Sequence, residues 1–395
     1  MSGIEMALAL SAFPFLAAAA YLAALALIAR RAPGPEGSRD QTFDIVVPAR
    51  DEEQMIGSTV ASLLAIDYPR EQFRILVVAD NCTDRTAERA QAAGARVLER
   101  NDATRLGKGH ALAYAYAASL ADGFADAVVV VDADTVVSPN LLAAFSARLD
   151  LGALALQADY GVRNATTAWR TRLMSIAFSL YHTLRSLGRE RLGLSCGLRG
   201  NGMAFASSVL RDVPHEAFSR VEDVEYGVAL ALAGVRVEYV EEAHVWADMP
   251  ETSAAARTQR QRWEGGRLAI ARRFVPRLLS AGVEREDRVA LDLAVDLMVP
   301  PLTRLAVVSI VGLVVAGVLY ASGRVGAFPV ALWGASVFAL LIYVGRGFAL
   351  AGLGARAAID LLWAPVFAAW KAALIVRPGR SLRGDWVRTR RGGDR

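Results

Sequence analysis

The hydrophobic positions of this chain follow two different patterns. They form long, largely apolar runs at 6–29, at 293–320, which contains Pro300-Pro301, and at 327–350, and each run is long enough to cross a bilayer as a helix. Between the first two runs, short apolar segments alternate with amphipathic ones, which is typical of a globular domain built from strands and helices. The pattern therefore predicts a folded domain flanked by membrane-spanning helices.

The alternating region predicts an α/β fold. Strands are expected where β-branched and other apolar residues cluster, at 43–48, 74–80, 95–98, 128–131 and 235–240. Helices are expected from Asp51-Glu52-Glu53 onwards and at 86–93, 110–120, 169–187 and 257–273, with Phe274-Val275-Pro276 ending the last one. Strands that alternate with helices form parallel βαβ units, so we expect a doubly wound mixed sheet.

The composition supports a soluble domain attached to a membrane. Of the 395 residues, 54% are hydrophobic and 21% are charged, which is too apolar for an ordinary soluble enzyme and too charged for a pure helical bundle in lipid. Arginine-rich stretches lie beside apolar ones, so the basic excess of 44 over 40 indicates anionic lipid and phosphate as partners rather than nucleic acid. Two cysteines, Cys82 and Cys196, form no disulfide framework and indicate a reducing compartment.

Charges beside the apolar runs predict the membrane topology. Arg30 and Arg31 follow the first run, so the chain after it is expected in the cytoplasm, and a cleaved signal peptide is the alternative. The tail 377–395 carries seven arginines, which also favours the cytoplasm. A further apolar stretch, 357–376, contains Asp360 and Lys371, and we expect it to lie in the interface, leaving three crossings.

These observations divide the chain into five segments. The predicted segments are an N-terminal transmembrane helix at 1–31, a Pro- and Gly-rich linker at 32–42, a cytoplasmic α/β domain with interfacial helices at 43–280, transmembrane and interfacial helices at 281–376, and a basic cytoplasmic tail at 377–395.

The strand at 128–131 ends in a pair of carboxylates, Asp132 and Asp134. Ligands of open α/β sheets bind beyond the carboxyl ends of the strands. Two carboxylates there repel each other unless a cation lies between them, and oxygen ligands suit Mg²⁺ or Mn²⁺. The pair therefore predicts a divalent metal site that holds a diphosphate, and the alternative is a strand end with ordinary turn-forming aspartates.

Further polar motifs precede and follow this pair. In order along the chain the motifs are Pro48-Ala49-Arg50-Asp51-Glu52, Asp80-Asn81, Asp132-Ala133-Asp134, Glu222-Asp223 and Gln259-Arg260-Gln261-Arg262-Trp263. With spanning helices on each side, this order resembles the membrane-integrated family 2 glycosyltransferases, the group that includes cellulose, hyaluronan and poly-N-acetylglucosamine synthases. The resemblance covers residues 43–270 by motif and implies a GT-A fold that transfers a sugar from a nucleotide diphosphate with inversion.

The resemblance also implies roles for particular residues on the donor side. The residues expected to bind the nucleotide sugar are Pro48, Ala49, Arg50, Glu52, Asp80, Lys108 and Asp132. Asp80 matches the carboxylate that reads the nucleoside base, although many relatives carry a second Asp where this chain has Asn81. Lys108, on a Gly-flanked turn before a helix, is suited to a phosphate, and a solvated surface lysine is the alternative.

On the acceptor side, Asp223 matches the base that takes the acceptor proton, and Glu222 would tune it through like charge. Two ordinary first-turn helix acids are the alternative. Downstream of this pair, Arg262 is expected to bind the pyrophosphate because its guanidinium group is always charged and can bind two oxygens at once. Gln259 is expected to hydrogen-bond the diphosphate or a sugar hydroxyl, and Trp263 to offer a sugar ring its flat face unless it is a core residue.

The predicted function is hexose transfer from a nucleotide sugar, with UDP as the expected nucleotide, in polysaccharide synthesis at the cytoplasmic face of the inner membrane. A single transfer to a lipid acceptor is an alternative, because few C-terminal spans would form only a thin channel. A catalytically silent assembly subunit is the other alternative, and the complete set Asp132, Asp134, Asp223, Arg262 and Trp263 argues against it.

Overall fold

The computed structural model describes residues 2–249, 253–354 and 358–359, and the side chains of 250–265 lie outside the described part. Within that part, contacts divide the chain into two compact units. Residues Arg31–Ala165 and Leu192–Leu297 form the sheet unit, and residues 2–30, 166–191 and 298–354 form the helical unit. The predicted interfacial segment 357–376 and the tail 377–395 lie outside the described residues, apart from 358–359.

The sheet unit contains eight strands. They are β1 (Phe43–Ala49), β2 (Phe73–Asp80), β3 (Arg96–Arg100), β4 (Ala127–Val130), β5 (Thr135–Val137), β6 (Ala155–Val162), β7 (Met203–Ala206) and β8 (Val237–Ala247). Their order across the sheet is β3-β2-β1-β4-β7-β6-β8-β5. The first four strands in this order are mutually parallel, whereas β7 is antiparallel to both β4 and β6. The mixed α/β sheet predicted from the sequence is confirmed.

Thirteen α-helices lie in the described residues. They are α1 (Gly3–Ile28), α2 (Ile56–Leu64), α3 (Thr86–Ala92), α4 (Lys108–Asp122), α5 (Leu141–Asp150), α6 (Trp169–Phe178), α7 (Arg185–Arg191), α8 (Ser207–Asp212), α9 (Glu222–Leu232), α10 (Ser253–Glu284), α11 (Arg288–Met298), α12 (Leu302–Ala321) and α13 (Ala327–Ala351). A π-helical turn, Ser179–Leu184, joins α6 to α7.

The core of the sheet unit lies where the sequence places its β-branched runs. The four residues of β4 are fully buried, and Ile45, Val47 and Val129 belong to the same cluster as residues of α2 and α5. Burying such side chains contributes about 1.5–3 kcal/mol each before conformational entropy is subtracted. Strands buried on both faces read as continuous apolar runs, and this is why β4 was recognisable in the sequence.

Two predicted helix boundaries are wrong. Asp51-Glu52-Glu53 does not open a helix, because α2 begins at Ile56 and Asp51 has a left-handed backbone with φ +54°. The basic helix does not end at Pro276 either: α10 runs on to Glu284 with the proline inside it. A proline removes one backbone hydrogen bond, but Phe274 and Leu278 on either side of it pack into a shared apolar cluster, and that burial offsets the loss.

The C-terminal apolar runs also divide differently from the prediction. The run 293–320 is not one helix, because α11 ends at Met298 and α12 begins at Leu302, with Pro301 as its N-terminal cap. Proline favours the start of a helix, since its missing N–H has no partner there in any case. The residues Leu293, Ala294 and Leu297 of α11 pack with α9 and α10 in the sheet unit.

The helical unit contains α1, α12 and α13, which are the three described helices that are long and apolar enough to cross a membrane. Their packing is specific: Phe15 lies 5.7 Å from Trp333 between ring centroids, and Ser309 and Ser336 share a buried hydrogen bond of 2.9 Å. The segment 166–191 groups with these helices rather than with the sheet. Within the unit, Arg189 donates to Tyr21 Oη at 2.9 Å and Arg185 donates to Tyr343 Oη at 3.0 Å.

Candidate functional site

Three parallel strands end together at one edge of the sheet and bring three predicted motifs to the same place. In the register, Ala49 at the end of β1 pairs with Ala79 of β2, one residue before Asp80. On the other side of β1, Val46 pairs with Val130, the last residue of β4, and Asp132 follows two positions later. Because parallel strands present their carboxyl ends to one edge, this edge is the expected ligand-binding crevice.

Acidic residues after β1 tie two neighbouring loops together. Oδ1 of Asp51 accepts the backbone N–H of Thr83 at 2.7 Å, and the N–H of Glu52 donates to Thr86 Oγ1 at 2.8 Å. Oxygen or sulfur atoms of Asp51, Cys82 and Asp84 lie within 4.8 Å of one another. The carboxylates of Asp51 and Asp84 accept the backbone N–H groups of Thr83, Glu53 and Thr86. These bonds show that the two carboxylates hold the loops in place.

The remaining residues of the first motif lie beside this linkage. Pro48 is half-buried and Ala49 buried at the end of β1, and Arg50 follows them as a half-buried side chain. The pairing of β1 with β4 stops at Val46, so Pro48 stands beyond the last β4 pair, where its lack of an N–H breaks no bond to that strand.

Asp80 is buried and bound to an arginine. Its Oδ1 atom accepts Nη1 of Arg100 at 2.6 Å, and both side chains are almost completely shielded from water. Asn81 donates to the same oxygen at 2.8 Å, and its own Oδ1 accepts the Asp102 N–H at 2.9 Å. The amide of Asn81 supplies both the donor and the acceptor that these two bonds require, whereas an ionised aspartate at this position would only accept.

The two candidate metal ligands, Asp132 and Asp134, are half-buried and lie in the turn between β4 and β5. The Asp132 N–H donates to Oδ1 of Asn201 at 3.1 Å. The pKa of Arg163 is raised chiefly by its hydrogen bond with Asp248, and Asp134 adds to that rise, which places Asp134 within electrostatic reach of this ion pair.

A buried polar network fixes the loop that faces Asp132. Asn201, which is fully buried, uses its amide nitrogen to donate to Thr135 Oγ1 at 2.8 Å. Gln157, also fully buried, donates to the Asn201 carbonyl at 2.8 Å and accepts the Arg199 N–H at 2.8 Å. Buried amides with every end paired hold a single arrangement, so the turn of Asp132 and the loop 195–202 are one rigid structure.

Lys108 places its ammonium at the centre of the site. It is the first residue of α4, and its Nζ lies 2.5 Å from Asp132 Oδ1, 2.5 Å from the Gly200 carbonyl oxygen and 3.8 Å from Glu222 Oε1. The helix can start here because Gly109 has no side chain: a Cβ on Gly109 would lie 2.2 Å from the carbonyl oxygen of Ala217.

Glu222 and Asp223 are the first two residues of α9, and both are half-buried. Asp223 lies directly against the loop 195–202, since a Cβ on Gly200 would be 3.3 Å from Asp223 Oδ2. Gly200 has φ +80°, a conformation that residues with side chains rarely adopt. The glycine therefore allows both the turn and the close approach of the carboxylate.

The charges of this cluster shift one another's pKa values. Burial raises the pKa of Glu222 to about 7, Lys108 opposes the rise and Asp223 adds to it. Burial also raises the pKa of Asp223, while the Val224 N–H, Lys108 and Arg199 oppose the rise. Burial lowers the pKa of Lys108, but Asp132 and Glu222 outweigh it and raise the pKa overall. The lysine thus remains charged, and burial makes both acids bind a proton more readily than exposed carboxylates do.

Behind Lys108 lies an aromatic cluster that the sequence did not reveal. His215 stands 4.7 Å from Tyr226 and 5.5 Å from Tyr116 between ring centroids. Burial, with smaller contributions from His110 and Lys108, lowers the pKa of His215 to about 4. Within the described residues, His215 Nδ1 and Tyr116 Oη find no hydrogen-bond partner. A neutral histidine is therefore held behind the charged site.

Gln259, Arg262 and Trp263 lie on α10, and their side chains are outside the described residues. The helix itself reaches the site at Gly266, where a Cβ would lie 2.7 Å from Val221, the residue before Glu222. The three predicted residues therefore lie one to two helical turns before the point where α10 touches the start of α9.

The donors at this site suit a hard divalent cation. Asp132 and Asp134 supply oxygen atoms from one turn, and Glu222 and Asp223 add further negative charge nearby. A cation already lies against Asp132 in the form of the Lys108 ammonium, at 2.5 Å. Oxygen donors at a site that already stabilises a positive charge match the requirements of Mg²⁺ or Mn²⁺.

The structure thus brings four of the predicted site residues together. Asp132, Lys108 and Glu222 meet directly, and Asp223 meets them across Gly200. Asp80 lies at the same sheet edge but is engaged by Arg100. Sequence reasoning missed Arg100, Gln157 and the structural role of Asn201. The flanking glycines Gly200 and Gly202 are a local sign of a loop, but the partner of Asn201, 69 residues away, leaves no mark in a single sequence.

The chain was compared with known families and proteins. Residues 40–266 match the family described as Glycosyltransferase like family 2. Over 242 residues the chain is 25% identical to a probable glycosyltransferase, YdaM, of Bacillus subtilis, covering 58% of this chain and 56% of that protein. It is 30% identical over 234 residues to the beta-monoglucosyldiacylglycerol synthase of a Synechocystis strain, covering 56% of this chain and 47% of that protein.

One further sequence relative and one solved structure complete the comparison. The chain is 25% identical over 232 residues to the poly-beta-1,6-N-acetyl-D-glucosamine synthase of Staphylococcus aureus, covering 57% of this chain and 54% of that protein. The matches span about half the length of these curated relatives. Among solved structures, a mannosyltransferase from Pyrobaculum calidifontis in complex with GDP-Man and Mn²⁺ matches with a TM-score of 0.54 and 17% identity, over 95% of this chain and 92% of that one. This last likeness supports the fold alone.

Proposed function

The chain belongs to glycosyltransferase family 2, and on that premise we propose that it transfers a hexose, with inversion, from a nucleotide diphosphate sugar to an acceptor at the cytoplasmic face of the inner membrane. UDP is the proposed nucleotide. The observation that carries the proposal is the position of Gly200: its carbonyl oxygen accepts Lys108, and its Cα faces Asp223. The candidate diphosphate-binding cation and the candidate base therefore lie on the two sides of one residue.

Direct displacement at a sugar carbon needs a cation beside the departing diphosphate and a base beside the acceptor hydroxyl. The departing diphosphate needs positive charge, and Lys108 provides it from the start of α4, where the helix dipole adds to it. A divalent cation held by Asp132 and Asp134 would supply further stabilisation of that charge. The acceptor hydroxyl needs a base, and burial that raises the pKa of Asp223 makes this carboxylate a stronger base than an exposed one.

The donor pocket extends along the sheet edge towards Asp80. Arg100 and Asn81 hold one oxygen of Asp80 in place, and we propose that this carboxylate contacts the nucleoside base. Pro48, Ala49, Arg50 and Glu52 border the same edge and are proposed to line the nucleotide. Gln259, Arg262 and Trp263, on α10, are proposed to reach the diphosphate and the sugar.

A glycan acceptor is supported by the relative named as a poly-N-acetylglucosamine synthase. A lipid acceptor is the second candidate, and the 30% identity to a beta-monoglucosyldiacylglycerol synthase favours it. Three of the described helices are long and apolar enough to span a membrane, which would bring the site close to an acceptor that is itself embedded in lipid. A catalytically silent subunit would have no need of the charged cluster around Lys108.

One experiment tests the proposal and separates the acceptors. The purified full chain in detergent is incubated with Mn²⁺, a panel of UDP- and GDP-hexoses, and either diacylglycerol or oligosaccharide acceptors, and the products are identified by mass. We expect one donor to give a product that carries added hexose. A single added hexose on the lipid favours the lipid acceptor, whereas a ladder of masses favours polymer synthesis. Release of no nucleotide diphosphate and no product from any donor, in protein that melts cooperatively, would overturn the proposal.

A further inference from the structure

The ammonium of Lys108 already occupies a place that the proposed reaction needs for other groups. It lies 2.5 Å from Asp132 Oδ1, where a divalent cation would bind. It also lies 2.5 Å from the Gly200 carbonyl oxygen and 3.8 Å from Glu222. The lysine therefore connects the candidate metal turn, the loop 195–202 and the start of α9 through one atom.

The type of residue at position 108 is itself informative. This chain has only two lysines, Lys108 and Lys371, and every other member of its 44 basic Lys and Arg residues is an arginine. The buried partner of Asp80, for example, is Arg100. A guanidinium holds a carboxylate with a rigid bidentate fork, whereas an ammonium is a compact charge on a flexible stem that can exchange partners. The chain uses the exchangeable cation at the centre of its site.

We propose that Lys108 is an exchangeable cation that holds the place of the metal on Asp132 and moves to the diphosphate when the donor binds. This inference rests on the proposed function, because it assumes a metal and a diphosphate at the site. Its consequence is that a divalent cation binds Asp132 well only together with the nucleotide. Departure of Lys108 from the Gly200 carbonyl also releases one of the contacts that hold the loop 195–202.

The physical reason is competition between two positive charges. A divalent cation and an ammonium cannot both bind Asp132 Oδ1 at close range without strong repulsion. The lysine does not leave Asp132 readily by itself, because it would also give up its ion pair with Glu222 and its hydrogen bond to the Gly200 carbonyl. A diphosphate removes this obstacle because it offers the ammonium a new anionic partner within reach of the same flexible stem.

The first test measures Mn²⁺ alone. Mn²⁺ affinity of the full-length protein in detergent is determined by electron paramagnetic resonance, without nucleotide, for wild type, K108M, K108Q and the matched control K371M. Site-to-site couplings usually change affinity by about 5–150-fold, and we expect Mn²⁺ to bind K108M and K108Q about tenfold or more tightly than wild type. K371M should bind like wild type. The gain should vanish in K108M/D132N, because the competition takes place at Asp132.

Equal Mn²⁺ affinity of wild type and both Lys108 variants, in proteins that melt cooperatively, would overturn the proposal. It would mean that Lys108 does not compete with the metal for Asp132. UDP affinity is measured on the same samples and is expected to fall in K108M. A protein that binds no nucleotide would contradict the proposed function, but the Mn²⁺ comparison would still decide the role of Lys108.

The second test follows the lysine in the unsubstituted chain. Reductive methylation with ¹³C-formaldehyde labels Lys108 and Lys371 as the only side-chain amines, and K108R assigns the signals. We expect Mg²⁺ alone to leave the Lys108 resonance in place at a concentration at which Mg²⁺ with UDP shifts it. A resonance that does not respond to Mg²⁺ with UDP, under conditions where UDP binding is measured independently, would show that Lys108 does not move.

Discussion

Asn201 accepts the backbone N–H of Asp132 on its side-chain oxygen at 3.1 Å, and so joins the candidate metal turn to the loop that carries Gly200. Its amide nitrogen is used as well, by a 2.8 Å hydrogen bond to Thr135 Oγ1. The side chain is fully buried, so both hydrogen bonds are shielded from solvent. The position of Asp132 therefore depends on a residue 69 positions further along the chain.

We predict that N201A weakens both stability and metal binding. An unpaired buried polar group costs about 1–3 kcal/mol, and loss of a group that orients a metal ligand costs about 10–100-fold in metal affinity. Thermal unfolding and Mn²⁺ titration of the variant measure the two effects. N140A is the control, since Asn140 is exposed and its amide donates to the backbone carbonyl of Glu242 in β8. Wild-type Mn²⁺ affinity in N201A would contradict the prediction.

Removal of one candidate metal ligand should remove most activity. D134N keeps the size of the side chain but loses the charge that a divalent cation requires. We expect turnover to fall by about 10²-fold or more, and Mn²⁺-dependent nucleotide binding to weaken. Product formation with and without a chelator measures the dependence. The exposed, salt-bridged Asp67 provides the control D67N, and full activity of D134N in excess chelator is the result that would refute a metal role.

Asp223 should act on turnover rather than on donor binding. D223N leaves the shape of the site against Gly200 intact but removes the base, and general base catalysis contributes about 10²–10⁴-fold. We expect turnover to drop by that factor while the dissociation constant of the donor changes little. Steady-state kinetics and isothermal titration with the donor separate the two. A collapse of donor affinity with normal turnover at saturation would place Asp223 in the donor pocket instead.

His215 should make the protein less stable at acid pH. The pKa of this histidine is lowered to about 4 in the folded chain, against about 6.5 for a free side chain. Between these values the unfolded state binds more protons, so the free energy of unfolding decreases as pH falls from 6.5 to 4. The effect is at most roughly 3 kcal/mol. Melting temperatures across this range should fall less steeply in H215F, and parallel curves would count against the assignment.

The membrane topology is testable with single cysteines. Because Arg30 and Arg31 favour the cytoplasmic side, we predict that the turn between α12 and α13 faces the outside. After Cys82 and Cys196 are replaced by alanine, S322C should react with a membrane-impermeant thiol reagent in spheroplasts, whereas S38C should react only after lysis. The reverse labelling pattern would invert the orientation of the chain.

The sequence alone determined the elements whose signals are local. The β-branched run of β4 and the carboxylates that end it are visible because strand burial and strand termination depend on neighbouring residues. The family was recognisable for the same reason, since its motifs are short and follow one another in order. The boundaries that failed, at Asp51 and Pro276, are places where contacts distant in sequence outweigh local preference.

Only the tertiary structure decided how the site is held together. Lys108 meets Asp132 and Gly200 across 24 and 92 residues, and no periodicity or composition records such a meeting. Asn201, Gln157 and Arg100 acquire their roles from the same long-range packing, because a buried amide or guanidinium is defined by the partners that surround it. The sequence identified the charged residues of this protein, but only the fold determined which of them contact the ammonium of Lys108.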